Sequence, residues 1–429
     1  MSVRTVRVGM LGCGIVGSAT ARILHDHAGD IEARVGARIE VTRVAVRNLS
    51  KDRDVPVPSD RFTNDPHQVV RADDVDVVVE VIGGIEPARS LILEAIANGK
   101  HVVTANKELV STLGRELFDA AEAAGVDLYF EAAVGGGIPL IHPLKESLAG
   151  ERIAKITGIV NGTTNFILTR MTEESRSFSE AVAEAQGLGF AERDPSADVE
   201  GYDAAAKLAI LASIAFNARV VAGDVFREGI ANVSQQDIEF ADRLGYVVKL
   251  LAIAELEDGE IAARVHPAMI PKDHPLAAVR ESFNAVFIEG ANVGELMFYG
   301  RGAGGAPTGT AVAGDVVDVA RNLITGGRGV GCTCYDDRRV RPMDEMHSQY
   351  YLLLEVADQP GVLASVASTF AKHGVSIRSV WQEGTGEEAL LVMITHRGNE
   401  GAMQQTIHDL RELDAVAAVR SVMRVEGVE

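Results

Sequence analysis

The sequence predicts an α/β protein in three parts: a doubly wound parallel sheet, an α+β block with a mostly antiparallel sheet, and a C-terminal βαββαβ sandwich. Three observations carry this reading. Near-continuous apolar strands alternate with helical patterns over the first third of the chain. Strand-like runs then crowd together between residues 247 and 299, as meandering antiparallel strands do. The last stretch, 350–429, repeats strand and helix patterns after a Gly-rich, charged segment at 326–348. At 429 residues and 47% apolar content, the chain has material for more than one core.

Residues 5–11 alternate, carry β-branched side chains and run into Gly12-Cys-Gly14-Ile15-Val16-Gly17, after which 18–27 reads as a helix. Strand, G-x-G-x-x-G and helix together are the context of a dinucleotide fingerprint. The first glycine permits the tight turn, the second lets the backbone approach a pyrophosphate, and the third lets helix and strand pack closely. The competing reading is a structural glycine turn. The second strand, 39–46, ends at Arg47-Asn48, where an acid would hold a ribose 2′-OH. A guanidinium there suits a 2′-phosphate, or else is a solvated loop residue. Apolar strands follow at 75–82, 101–104 and 127–131, with helices at 88–98 and 113–124 between them.

After Glu131 the character changes. Gly135-Gly136-Gly137 breaks the pattern, and a helix at 140–149 and a strand at 153–160 are expected next. Helices at 178–185 and 202–216 precede strands at 247–256, 261–268, 285–289 and 296–299. A second Gly-rich loop, 300–308, opens a helix at 310–323. The C-terminal unit reads as strand 350–356, helix 362–372, strand 375–381, a turn at 384–386, strand 389–396, helix 403–410 and strand 416–425. It holds no visible nucleophile–base pair, so it is expected to bind or regulate.

Composition excludes several roles. With 61 acidic against 41 basic residues the net charge is −20, which disfavours nucleic acid and anionic membrane surfaces as partners. No apolar run reaches the ~18 residues of a membrane-spanning helix, and the N-terminus enters a strand pattern at once. Cys13, Cys332 and Cys334 make neither a disulfide framework nor a zinc site. A cytoplasmic protein is expected.

Chemistry concentrates where charged residues interrupt apolar or glycine-rich context. Thr104-Ala-Asn106-Lys107 follows the fourth strand, at the carboxyl edge where α/β sheets bind ligands. Gly189 and Glu192 lie in a loop out of one helix, and Asp203 and Lys207 stand four apart on the next. That spacing is met in ordinary surface ion pairs. Here the intervening alanines and the apolar run after Lys207 mark a buried helix, and a buried lysine suits proton transfer.

With these segments in order, the whole chain resembles the homoserine dehydrogenases, in their longer form with a C-terminal ACT domain. The matching segments are 8–17, 80–84, 102–107, 131–139, 158–167, 187–195, 198–207 and 299–308. The resemblance implies a Rossmann-type dinucleotide-binding domain at 1–133 completed by helix 306–325, and a catalytic and dimerisation domain at 134–305. A linker at 326–349 and an ACT regulatory domain at 350–429 complete it. It also implies interconversion of L-homoserine and L-aspartate 4-semialdehyde with NADP, or NAD, in threonine and methionine biosynthesis. Lys207 falls on the proton-transfer lysine, Lys107 on a second active-site lysine, and Glu192 and Asp203 on the substrate-binding carboxylates. Gly12, Gly14, Ile15, Val16, Gly17, Arg47, Thr104, Lys107, Gly189 and Gly305 fall on cofactor positions. Glu131, with the carbonyls of Val134, Gly136 and Ile138, matches a site for a monovalent cation such as sodium. Asp358 and Gly361 match the ligand loop of ACT domains, with L-threonine as the expected inhibitor. A homodimer or homotetramer is expected, with the ACT unit removable as a module. Two rivals remain: an ACT-bearing hydroxy-acid dehydrogenase, whose usual His–carboxylate pair is not evident, and a non-catalytic amino-acid sensor.

Overall fold

The structure, a computed structural model, describes residues 4–384 and 389–427, so part of the turn expected at 384–386 lies outside the described residues. Residues 1–156, 206–223 and 283–338 form one compact unit, and 157–205, 224–282 and 339–429 a second.

The first unit is organised by six parallel strands: β1 (Arg4–Leu11), β2 (Ala37–Ala45), β3 (Phe62–Thr63), β4 (Val77–Glu80), β5 (His101–Thr104) and β6 (Leu128–Tyr129). Their order is β3-β2-β1-β4-β5-β6. Strand β4 is buried on both faces, which is why it reads as an unbroken apolar run. Val77 and Val79 face helices α1 (Ile15–Asp26), α2 (Ala28–Val35) and α11 (Gly305–Thr325), in a core with Val8, Val103, Val312 and Val316. Val78 faces α3 (His67–Val70), α4 (Ala88–Ala97) and α5 (Lys107–Ala124), with Leu91, Ile92 and Leu117. A hairpin of β11 (Phe283–Gly290) and β12 (Gly294–Arg301) also belongs to this unit.

Strand β7 (Ile153–Ile159) and helix α9 (Tyr202–Ala215) belong partly to each unit. The second unit holds α6 (Gly162–Glu174), α7 (Phe178–Gly187), α8 (Ser196–Val199) and α10 (Gln235–Arg243). A two-residue strand β8 (Phe226–Arg227) lies beside a long antiparallel hairpin, β9 (Tyr246–Glu257) and β10 (Glu260–Pro271). The C-terminal sandwich comprises β13 (His347–Val356), α12 (Val362–Lys372), β14 (Ile377–Glu383), β15 (Ala389–Thr395), β16 (Gly398–Asn399), α13 (Glu400–Arg411) and β17 (Val416–Val425). Its main strands are antiparallel in the order β17-β13-β15-β14.

Several expectations need correction. The helix expected at 140–149 is a single π-helical turn, Pro143–Ser147. Pro143 lacks a backbone donor, and the N–H groups of Leu140, Ile141 and His142 donate to the Glu131 carboxylate instead. The strand expected at 127–131 is shorter, Leu128–Tyr129, and a 3-10 turn at Glu131–Ala133 follows it. Helices α2, α6 and α10 were not expected.

The C-terminal sandwich is not a detached module either. Its last strand runs on past the sandwich and pairs in parallel with β10, Ala268 opposite Arg424 and Met269 opposite Val425. Buried Arg264 of β10 bridges Glu255 and Glu426. Within the expected linker, Arg339 C=O accepts from Ile261 N–H, and Arg341 donates to Glu257 and Glu260.

Candidate functional site

The glycine fingerprint forms a cradle made of backbone. Gly12 has φ +104°, and a Cβ there would meet the Val81 carbonyl at 3.0 Å. A Cβ at Gly17 would lie 2.5 Å from the Gly12 carbonyl, so the third glycine is what lets α1 rest on the β1 turn. Gly14 precedes α1 and faces open space within 4 Å. No side chain caps α1 and no acid occupies its first turn, so the first N–H groups, from Ile15 to Gly17, are available to an anion. The second glycine loop closes beside them: a Cβ at Gly305 would lie 2.8 Å from Ile15 Cγ2.

Arg47 is exposed two residues beyond β2. The same loop carries Lys51 and Arg53, whose guanidinium donates to the Asn48 and Lys51 carbonyls. This cationic loop was missed as a group by sequence reading, which stopped at Arg47; the recurrence of Arg, Lys and Arg at 47, 51 and 53 was the available signal.

A buried polar chain sets the loop after β5. Glu80 is fully buried and accepts from the N–H groups of Ile82 and Gly83 and from Thr104 Oγ1 at 2.6 Å. Thr104 in turn accepts from Asn106 N–H, and Asn106 caps α5 by accepting from Leu109 N–H. Lys107 is the first residue of that helix, half-buried.

Glu131 is buried and holds three N–H groups, at 2.5 Å (Leu140), 2.9 Å (Ile141) and 2.8 Å (His142). Its own N–H donates to Asp315 on α11. His142 lies between Asp315, at 3.0 Å, and Asp318, at 3.2 Å, and their carboxylates push the imidazole up to about 10. Burial pushes Asp315 up to about 6. The adjoining turn contains Val134, Gly136 and Ile138. It is pressed against the second glycine loop so closely that a Cβ at Gly136 would lie 2.5 Å from the Gly302 carbonyl. Gly136 thus has a packing reason to be glycine, independent of any ion.

In the second unit, the amino end of α6 gathers a cluster of side chains. Asn161 caps the helix by accepting from Thr164 N–H, while its Nδ2 donates to Asp198 at 2.7 Å and to Asp203 at 2.8 Å. Thr163 donates to the Phe190 carbonyl, tying the 188–191 loop to the same helix. Gly189, φ +77°, forms the turn of that loop. Asp203 is brought into this cluster; Glu192 is exposed on the loop and stands outside it. Lys207 is buried, one turn after Asp203 on α9. Sequence reading missed Asn161 and Asp198 as site residues, although the polar run Asn-Gly-Thr-Thr-Asn between apolar segments was visible.

In the C-terminal sandwich Gly361, φ +96°, precedes α12, whose first turn holds no acid. Asp358 accepts from Gln382 at 2.9 Å. Leu363, Val380 and Trp381 are exposed nearby in the chain. Among the described residues no group of three His, Cys, Asp or Glu side chains could hold a metal, and no helix is long and apolar enough to cross a membrane.

Comparison with known proteins agrees over the full length. Residues 139–317 match a family described as homoserine dehydrogenase, residues 12–131 the homoserine dehydrogenase NAD binding domain, and residues 350–415 the ACT domain. A homoserine dehydrogenase of Mycobacterium bovis is 50% identical over 435 residues, covering 99% of this chain and 98% of its own. One of Corynebacterium glutamicum is 48% identical over 426 residues, covering 98% and 96%. Among solved structures, a homoserine dehydrogenase from Thiobacillus denitrificans superposes with a TM-score of 0.94 at 42% identity, covering 99% and 98%. A hyperthermophilic archaeal homoserine dehydrogenase in complex with NADPH gives 0.63 at 28% identity, covering 76% of this chain and 99% of its own.

Proposed function

The chain belongs to the homoserine dehydrogenase family, and from that premise we propose that it interconverts L-homoserine and L-aspartate 4-semialdehyde on the route to threonine and methionine, preferring NADP(H). The observation that carries this reading is buried Lys207 standing one helical turn from Asp203, itself bound by Asn161, within the matched segment. The substrate's α-ammonium calls for anions, and Asp203 and Glu192 supply them. When bound, the nicotinamide takes or supplies the hydride. Lys207 Nζ takes the hydroxyl proton during oxidation and returns it to the aldehyde oxygen during reduction. Lys107, rooted at the α5 amino end by Glu80, Thr104 and Asn106, contributes positive charge where the cofactor's phosphates and the developing alkoxide need it.

The cradle fits a dinucleotide, because the space a Cβ at Gly12 or Gly17 would fill is the space a close backbone turn needs. Arg47, Lys51 and Arg53 favour a 2′-phosphate over a bare ribose. A monovalent cation such as sodium also fits. Three N–H donors leave about one acceptor position on Glu131, and the carbonyls of Val134, Gly136 and Ile138 complete a hard-oxygen set. Its role would be to neutralise a buried carboxylate at the turn below the second glycine loop.

The sandwich is read as a threonine sensor. Gly361 and the uncapped α12 amino end offer N–H groups to an amino-acid carboxylate, and exposed Leu363, Val380 and Trp381 suit pairing of two sandwiches. Exposed Met297 and Tyr299 on β12 suit a second contact in a homodimer or homotetramer. Three free cysteines accord with a cytoplasmic setting.

Absorbance at the nicotinamide band tests the activity: both homoserine oxidation and semialdehyde reduction are expected, with higher kcat/KM for NADP(H). No signal with either substrate defeats the reading, leaving the sensor alternative. Full-length protein whose rate ignores millimolar threonine at subsaturating substrate defeats the regulatory part alone.

A further inference from the structure

Asp203 takes its position from the backbone just before it, and that backbone is held by a strap, residues 226–230. Ile230 N–H donates to the Val199 carbonyl at 2.8 Å. Gly229 fits so tightly on the same stretch that a Cβ would lie 2.3 Å from the Val199 carbonyl and 2.7 Å from Glu200 Cα. The Arg227 guanidinium lies over the Tyr202 ring, 3.3 Å from its centroid, and Nη1 donates to the Glu200 carbonyl. Tyr202 is the residue before Asp203, so two hydrogen bonds, one close packing contact and one cation–π contact fix residues 199–202, leading into α9, to this strap.

The strap is itself held in two ways. Its backbone pairs with β10, Phe226 opposite Arg264 and Arg227 opposite Val265, and Glu228 N–H donates to the Val265 carbonyl. Its one acidic side chain, Glu228, accepts from Arg424 Nη1 at 2.8 Å. Arg424 belongs to β17 of the ACT sandwich and is only 4% exposed. Nε and Nη2 grip buried Glu400 at 2.9 and 3.0 Å, and the guanidinium lies over the Phe226 and Tyr350 rings. A residue locked on three sides has little freedom, so the strap's acid is tied to a rigid point of the sandwich.

We infer that the Arg424–Glu228 pair is a positioning element for the substrate: through the 226–230 strap it sets Asp203, so the ACT domain determines the affinity for homoserine. This rests on the reading of Asp203 as a substrate carboxylate. It also means that the sandwich acts on the site without any ligand of its own, and that a bound effector need only loosen or tighten one ion pair.

Glu228→Gln keeps the size of the side chain and removes its charge, while buried Arg424 keeps its pair with Glu400. In the full-length protein it should raise KM for homoserine about threefold to tenfold, with KM for NADP(H) and kcat at saturating substrate unchanged. Glu228→Asp, which keeps the charge, should recover part of the affinity. Glu355→Gln serves as control: it breaks the Arg420–Glu355 pair, which joins β17 to β13 within the sandwich and not to the strap, and should leave both KM values unchanged. Asp203→Asn is measured beside them. Homoserine KM within twofold of wild type in Glu228→Gln, while Asp203→Asn raises it, overturns the positioning role alone. Equal changes in both KM values together with a lowered Tm also overturn it, since that pattern marks a merely structural contact. An unchanged KM in Asp203→Asn overturns the reading of Asp203, and the inference with it.

Discussion

The glycine cradle and the Asn161 cluster are built by different means. The cradle presents backbone: glycines 12, 17 and 305 keep side chains out, and the free amino end of α1 supplies the polarity. The cluster presents side chains gathered from separated positions: Asn161, Asp198 and Asp203, joined by the two amide hydrogens of one residue. A backbone site is sensitive to the addition of atoms and a side-chain site to their removal. The same contrast explains why one was legible in the sequence and the other only in part.

The largest effect should come at Lys207. Lys207→Ala is expected to lower kcat by about 10² or more, the usual scale for losing general acid–base catalysis, with KM for the cofactor little changed. Normal turnover in that variant would reduce the Asp203–Lys207 spacing to an ordinary helical pair, and with it the claim that the cluster side of the comparison carries the chemistry.

Two paired substitutions test the contrast directly. Gly17→Ala adds one methyl 2.5 Å from the Gly12 carbonyl, so the backbone must shift, and KM for NADP(H) should rise on the order of tenfold to a hundredfold. Asn161→Ala removes the donor shared by Asp198 and Asp203 and should raise KM for homoserine about tenfold, leaving the cofactor's KM alone. If each variant instead weakened both substrates equally, the division into backbone and side-chain sites would not hold.

A smaller effect is expected from Arg47→Asp. Like-charge repulsion with the 2′-phosphate should erode the NADP/NAD preference severalfold; Lys51 and Arg53 remain and limit the loss. Unchanged selectivity would mark Arg47 as a solvated loop residue and shift attention to its two neighbours.

Legibility follows from the same physics. The parallel sheet was readable because strands such as β4, buried on both faces, must be continuously apolar, and the cradle because only glycine tolerates those approaches. Asp203 and Lys207 were readable because charges in an apolar helix are expensive. Asn161 and Asp198 were not, since a capping asparagine looks the same whether or not its Nδ2 reaches two distant carboxylates. The π-helical turn at Pro143–Ser147 was hidden for a related reason: the N–H groups just before it, of Leu140, Ile141 and His142, are taken by Glu131, whose reach across nine residues leaves no local trace. The continuation of β17 onto β10 was invisible because strand pairing over more than 150 residues of separation is written in neither strand alone.

The smallest expected effect lies beneath the cradle, where side chains do the holding after all. His142, clamped by Asp315 and Asp318, has its pKa raised to about 10 from an ordinary value near 6.5, so it is an imidazolium at neutral pH. A group whose pKa is raised in the folded state contributes stability that is fully present below the unfolded value and is lost as pH rises through the folded one. The contribution of His142 is therefore present below about 6.5 and lost as pH rises through about 10. Asp315, raised by burial to about 6, is ionised above pH 8 and keeps the partner charge constant over the upper part of that window. His142→Gln should lower Tm by a few degrees at pH 8, and the gap to wild type should close as the pH approaches 10.5. Because the pair ties the 131–142 turn to α11 without touching the glycines of the cradle, KM for the cofactor should stay within twofold at pH 7.5. A gap in Tm that stayed constant from pH 8 to 10.5 would mean that the imidazole is held by shape and not by charge. A large loss of cofactor affinity would mean that the cradle depends on side chains beneath it as much as the cluster does on its own.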